Sequence, residues 1–215
     1  MEHYLGVLGM TGLTAWAGVC DILRPEPGHT VLISGASGAV GSVAVQLAKQ
    51  AGAQVVGVAG GAEKCSMVAR LGADASSTAR PLIGRTNSRR QHRTASTASS
   101  KTRGGPMFEA SITRLNNHAH IALCGLIDGY NLTERPSGPN NFGQLLTKRI
   151  LTQGFVALDY MDRAAEVEAT LGELIRSGQL EAVQSVLPGF EQLPAAFVDS
   201  FSHGHPGKLI IDLTA

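Results

Sequence analysis

Apolar positions along the chain alternate between two periods. Thr30–Ser34 (TVLIS) is a short apolar run that ends in a glycine-rich turn, which predicts a buried strand. Beyond the turn, Val40, Val43, Ala44, Leu47, Ala48 and Ala51 recur at helical spacing and predict a helix with one apolar face, stopped by Gly52. Gln54–Ala59 (QVVGVA) predicts a second strand, and Ala62–Leu71 a second helix that ends at Gly72. Farther on, Met107–Leu115 predicts a helix, His118–Cys124 a strand and Asn141–Lys148 a helix. Arg149–Leu158 is apolar and extended, and Arg163–Ser177 is an amphipathic helix. The tail holds a helix near Glu191–Phe201 and a strand over Lys208–Leu213, while Met10–Ile22 predicts a helix ahead of the first strand. Strand and helix in alternation, with short connections, are the signature of an α/β fold on a parallel sheet.

Residues 76–103 interrupt this order. They hold 11 Ser or Thr and seven Lys or Arg, with no Asp or Glu and only Leu82 and Ile83 as large aliphatics. So little apolar area does not offset the entropy of ordering, and the composition predicts an irregular or disordered stretch. It also changes the charge picture. The chain is at +1, but without this segment 11 basic residues face 17 acidic ones. Arg85, Arg89, Arg90 and Arg93 could serve as a basic arm for nucleic acid. The lack of an aromatic in the segment, and the acidic remainder, count against that reading.

Apolar residues make up 43% of the 215 and charged ones 16%, enough for a sizeable core and unlike a disordered chain. No apolar run reaches the roughly 18 residues of a membrane span. The start lacks the basic residues of a secretory signal. Cys20, Cys65 and Cys124 form no Cys-x-x-Cys pair, so neither a disulfide framework nor a zinc ribbon is expected. These features read as a soluble, cytoplasmic chain with no membrane or nucleic-acid partner.

The sharpest motif is Gly35-x-x-Gly38-x-x-Gly41, between the first strand and its helix. The first glycine permits the tight turn, the second lets a pyrophosphate approach the backbone, and the third lets helix and strand pack closely. The helix N-terminus then offers N–H groups and a positive dipole end to phosphates. An ordinary glycine-rich turn remains the alternative. An NAD site carries an acid about 20 residues on. Here that stretch is Ala59-Gly60-Gly61, followed by Glu63 and Lys64. Lys64 could pair with a 2′-phosphate, which favours NADP(H); a solvated helix lysine is the alternative. None of Tyr4, Tyr130 and Tyr160 has a lysine four residues on, which argues against the Tyr-x-x-x-Lys reductases. His118 and His120 lie two apart without a third ligand, so no metal site is expected.

Six segments then occur in order: Tyr4–Ala15 (YLGVLGMTGLTA), Ser37–Ser42 (SGAVGS), Gly60–Cys65 (GGAEKC), Cys124–Asn131 (CGLIDGYN), Leu146–Phe155 (LTKRILTQGF) and Gly207–Leu209 (GKL). Over residues 4–75 and 104–213 the chain resembles the zinc-independent medium-chain dehydrogenases/reductases of the prostaglandin reductase and alkenal double-bond reductase group. The resemblance implies NADPH-dependent reduction of the C=C bond of α,β-unsaturated aldehydes and ketones, with hydride delivered to the β-carbon. It places Gly38, Ala39, Val40 and Gly41 on the pyrophosphate and Lys64 on the 2′-phosphate. Cys124, Gly125, Leu126 and Ile127 fall in the loop near the nicotinamide, with Phe155 and Val156 beside its ring. Tyr130 matches a tyrosine that orients or protonates the enolate; a loop aromatic without chemistry is the alternative. The resemblance further implies a homodimer joined at the edge of the nucleotide-binding sheet.

Three departures carry expectations. The family places a catalytic domain ahead of the segment matching Tyr4, which this sequence does not include. Residues 1–182 should therefore form the dinucleotide-binding domain. Residues 183–215 should form a segment that returns to the catalytic domain. A non-catalytic NADP-binding module is the second functional reading. Next, residues 76–103 match nothing in the family. In a Rossmann-like doubly wound sheet of order 3-2-1-4-5-6, the fourth strand is central and should be apolar. Thr97–Arg103 offers only Ala98, so a weak or absent fourth strand is expected. Last, His205 stands where the family has an asparagine that contacts the cofactor.

Overall fold

The computed structural model describes residues 2–78, 94–98, 106–125, 133–134, 138–202 and 204–214. Its centre is a six-stranded parallel sheet of order β3-β2-β1-β4-β5-β6. The strands are β1 (Thr30–Ser34), β2 (Gln54–Val58), β3 (Ala75–Ser77), β4 (Thr94–Ala98), β5 (His120–Leu123) and β6 (Leu151–Gly154). All five residues of β1 are buried, as a central parallel strand covered on both faces requires. The connecting helices are α3 (Ala39–Gln50), α4 (Ala62–Arg70), α5 (Pro106–Arg114) and α6 (Gly143–Thr147). Ahead of β1 come α1 (Glu2–Leu5) and α2 (Met10–Trp16), the latter continuing as a π-helical turn over Ala17–Leu23. Arg24, at φ 43°, ends that turn in the left-handed region.

The main core joins Val31 and Ile33 of β1, Val43 and Leu47 of α3, Val55 of β2 and Val68 of α4. Leu13 and Val19 enter it from the N-terminal helix, and Val167 and Leu171 from α7 (Ala164–Arg176). Leu115, Ala119 and Ile121 form a smaller core on the β5 side. The extended stretch expected over Arg149–Leu158 divides. Its first part is β6, and from Ala157 to Arg163 the chain turns as a 3-10 helix.

The expectation of a weak or absent fourth strand is corrected. Thr94–Ala98 runs parallel to β1 from Thr30↔Thr94 to Ser34↔Ala98, and to β5 from Ala95↔His120 to Ala98↔Leu123. The expected irregularity of 76–103 likewise fails at Ser76–Ser77, the end of β3, and at 94–98. The physical reason is that strand pairing is made by backbone groups. A gap between β1 and β5 would orphan both inner edges. A proline-free TASTA segment can fill it, with β-branched Thr suited to the pleat. Backbone pairing does not require apolar content, and the strand begins at Thr94, three residues before Thr97.

The β2–β3 corner is tied by Asp74. Its carboxylate accepts the Val55 N–H at 2.7 Å and the Lys49 ammonium at 2.6 Å. The Lys49 bond first, then the Val55 bond, hold the Asp74 carboxyl below its ordinary range. A depressed folded pKa adds stability above the unfolded value of about 3.9, and that stability is lost as pH falls through the folded value. Asp74→Asn is therefore expected to cost about 1 kcal/mol at neutral pH and progressively less toward about pH 3. Urea midpoints of both proteins across that range check it; a gap that stays constant refutes it.

After α7 the chain forms β7 (Gln184–Pro188), a 3-10 turn Phe190–Gln192, α8 (Leu193–Ser202) and β8 (Lys208–Asp212). β7 and β8 pair in parallel as a separate two-stranded sheet, from Gln184↔Lys208 to Pro188↔Asp212. Buried Gln46 of α3 fastens the approach to this unit. Its Nε2 donates to Glu181 O at 3.0 Å, and its Oε1 accepts the Glu181 N–H at 2.7 Å. Phe190, Phe197, Val198 and Phe201 of this unit are exposed. No described helix is long and apolar enough to cross a membrane.

Candidate nucleotide site

The strand order reverses direction of growth between β1 and β4, and the glycine turn sits at the carboxyl end of β1. That is the switch point at which an open α/β sheet leaves a crevice for a ligand. Gly35 takes φ 59°, the left-handed conformation that lets the chain leave the strand, and Gly38 donates back to Gly35 O at 2.9 Å. Gly38 is extended at φ −83° and ψ 177° and caps α3, which starts at Ala39. The N–H groups of this first turn have no carbonyl one turn earlier to bond within the helix. Gly41 sits hard on the turn. A Cβ there would lie 2.2 Å from Gly35 O and 2.8 Å from Ala36 Cα.

Across the crevice, β2 ends in Ala59-Gly60-Gly61, and Gly61 caps α4 at φ 98°. A Cβ added at Gly60, Gly61 or Gly125 would meet nothing within 4 Å. The carboxyl ends of β2 and β5 thus open onto space. Lys64 stands in the first turn of α4 and donates from Nζ to Gly204 O at 2.6 Å.

The third wall comes from the far end of the chain. Gly207 N donates to Ser37 O at 2.8 Å and forms a parallel bridge with Gly38. The segment Gly204–Gly207 therefore runs from Lys64 to the glycine turn. Sequence reasoning assigned only His205 from it. The available signal was a pair of glycines three apart, Gly204 at φ 61° and Gly207 at φ 65°, both left-handed. Nε2 of His205 lies 3.2 Å from Asp199 Oδ2, in ion-pair range but outside hydrogen-bond geometry.

On the β5–β6 side, Cys124 is half-buried, and burial raises its thiol pKa to about 11, so it stays protonated at neutral pH. Phe155 is only 8% exposed, and its ring meets Tyr160 edge-on with centroids 6.1 Å apart; Val156 is 54% exposed. Tyr160 in turn donates to Asp21 at 3.2 Å and stacks edge-on with Trp16, over which the Arg163 guanidinium sits at 4.3 Å. This cluster, unnoticed in sequence because its members are dispersed, ties the π-helical turn to the 3-10 turn after β6. Leu126, Ile127 and Tyr130 lie outside the described residues.

Residues 39–172, from the first residue of α3 into α7, match the family described as zinc-binding dehydrogenase. The chain belongs to the zinc-binding dehydrogenase family. It is 36% identical over 219 residues to an NADPH-dependent curcumin reductase of Escherichia coli, covering 96% of this chain and 62% of the relative. It is 34% identical over 213 residues to a tobacco 2-alkenal reductase (NADP(+)-dependent), covering 98% and 62%. Among solved structures, CurA of Vibrio vulnificus in complex with NADPH superposes with a TM-score of 0.84 at 33% identity, over 99% of this chain and 65% of that one. The chain thus spans less than two thirds of the length of these relatives. The family's name implies zinc, but among the described residues no group of three His, Cys, Asp or Glu could hold a metal ion. The described residues therefore offer zinc no ligand set. A dinucleotide fits: a helix N-terminus behind a close-packed glycine turn, open space at Gly60 and Gly61, and an ammonium at its mouth.

Proposed function

We propose that this chain is the NADPH-binding portion of an oxidoreductase that reduces the C=C bond of α,β-unsaturated aldehydes and ketones. The observation that carries it is the mouth of β2, where Lys64 stands beside an open, acid-free Gly60–Gly61 turn. An acid there would bond a ribose 2′-OH, whereas a lysine meets a 2′-phosphate. The names of the curcumin and alkenal reductases and of NADPH-bound CurA support the same reading.

Ala39, Val40 and Gly41, with Gly38 at the cap, would hold the pyrophosphate by backbone N–H groups and the α3 dipole. Gly125, Leu126 and Ile127 would flank the nicotinamide along with the protonated Cys124 thiol, the Phe155 backbone and exposed Val156. His205 would reach the cofactor from the strap. Bound NADPH would supply the hydride that reaches the β-carbon of the substrate. Tyr130 would then orient the enolate oxygen or protonate the enolate, a phenol being matched to a developing oxyanion.

Residues 1–182 serve as the dinucleotide-binding domain in this reading, with 183–215 as a unit built to meet a further domain. The exposed Phe190, Phe197, Val198 and Phe201 support that division, because a face of this kind marks an interface. The same face supports a second reading, an NADP-binding module without turnover. A homodimer through the sheet edge and a cytoplasmic setting are part of the proposal. Titration with NADPH and with NADH, followed by nicotinamide fluorescence, tests the site. Micromolar binding that prefers NADPH is expected, and equal affinity for both refutes the 2′-phosphate assignment. NADPH consumption on adding an enone separates the enzyme from the module.

A further inference from the structure

We propose that the strap Gly204–Gly207 positions Lys64, so that preference for a 2′-phosphorylated cofactor is set from the C-terminal end of the chain. This rests on the nucleotide reading above. The strap is fastened at both ends. Gly204 N donates to Asp199 O at 3.2 Å, at the end of α8, and Gly207 N donates to Ser37 O at 2.8 Å, in the glycine turn. Between them Pro206 O accepts the Ser185 hydroxyl of β7 at 2.8 Å. A Cβ at Gly207 would lie 2.0 Å from Val183 O, so the strap enters β8 along a path only glycine allows.

Within this frame the Gly204 carbonyl takes one bond from the Lys64 ammonium, 140 residues away in sequence. A lysine stem carries large rotamer entropy, which a fixed acceptor reduces. The Gly204 carbonyl holds the stem at the mouth of β2, beside the open Gly60–Gly61 turn. The strap thereby links the two places where phosphates would sit, the glycine turn and Lys64. Gly204 is a positioning residue in this scheme, acting through Lys64. Its left-handed φ of 61° aims the carbonyl, which makes the position sensitive to β-branched residues and tolerant of Asn.

The test measures NADPH and NADH affinities for the full 215-residue chain and its variants. Gly204→Val is expected to weaken NADPH about tenfold and NADH by less than about twofold, and in a Lys64→Ala background to change neither further, the non-additivity of residues acting as one unit. Gly204→Asn is expected to keep the parental ratio. If Gly204→Val does not fold, Gly204→Ala is read the same way. Equal weakening of both cofactors, or the same shift without Lys64, overturns the proposal. A Lys64→Ala effect with no Gly204 effect overturns the strap alone. An unsubstituted chain with no NADPH preference overturns the nucleotide reading and the strap with it.

Discussion

Replacing Lys64 by alanine is expected to cost NADPH about 10- to 100-fold in affinity and NADH almost nothing, since a hydrogen bond to a charged group contributes about 1.5–3 kcal/mol. The ammonium stands in the first turn of α4, one residue past Glu63, and the nearest cap residues are the glycines that leave space open above it. In the proposed mode a 2′-phosphate in that space would meet a full positive charge and the N-terminal end of α4. A ribose hydroxyl meets no carboxylate at Gly60 or Gly61. Removing the charge therefore lowers affinity only for the cofactor that carries the phosphate. The exposed part of the interaction is screened by salt. Affinity of the parent chain for NADPH should then fall with ionic strength, and that of Lys64→Ala should be flatter. Fluorescence titrations at two salt concentrations check both expectations. Equal weakening of NADPH and NADH would assign Lys64 to holding the strap and not to the phosphate.

The second large effect is expected at Gly41. A methyl there would be driven into the carbonyl of Gly35 at 2.2 Å and into Gly35 C and Ala36 Cα at 2.8 Å, all backbone atoms of the turn itself. Neither side can give by rotating a side chain, so the N-terminal turn of α3 must lift off β1. Overpacking of this kind costs about 1–3 kcal/mol or more, which for a domain of this size lowers Tm by about 3–10 °C. Cofactor binding should be lost outright, because the displaced N–H groups are the ones proposed to hold the pyrophosphate. Gly60→Ala is the control for stability: its added methyl meets nothing within 4 Å, and Tm should stay within about 2 °C. Thermal melts with and without NADPH distinguish the two. A Gly41→Ala protein that melts normally and still responds to NADPH would show that the close packing does not hold the turn.

The local elements were legible wherever one period dominated. β1 spans the residues read from TVLIS, and α3 runs within one residue of the helix read from its apolar spacing, because burial on a fixed geometry leaves that imprint. The glycine turn was legible for a related reason. A left-handed Gly35 and a close contact at Gly41 each exclude a side chain, so the need for glycine is written into residue type. β4 was not legible. Its place depends on two neighbouring edges that need partners, and those belong to other parts of the chain.

The amino-acid sequence by itself determined the parallel α/β class, the succession β1, α3, β2, α4, and a glycine turn with a lysine and no acid at the mouth of β2. Each of these is set by local stereochemistry or by periodic burial. Tertiary structure alone decided that TASTA completes the sheet and that Phe155 turns into the core against Tyr160. It also decided that Gly204 and Gly207 close the site from the chain's far end. These outcomes depend on partners up to 170 residues apart, the span from Ser37 to Gly207. No spacing within a segment records the partners of β4 or of Gly207, because those bonds are made by backbone groups.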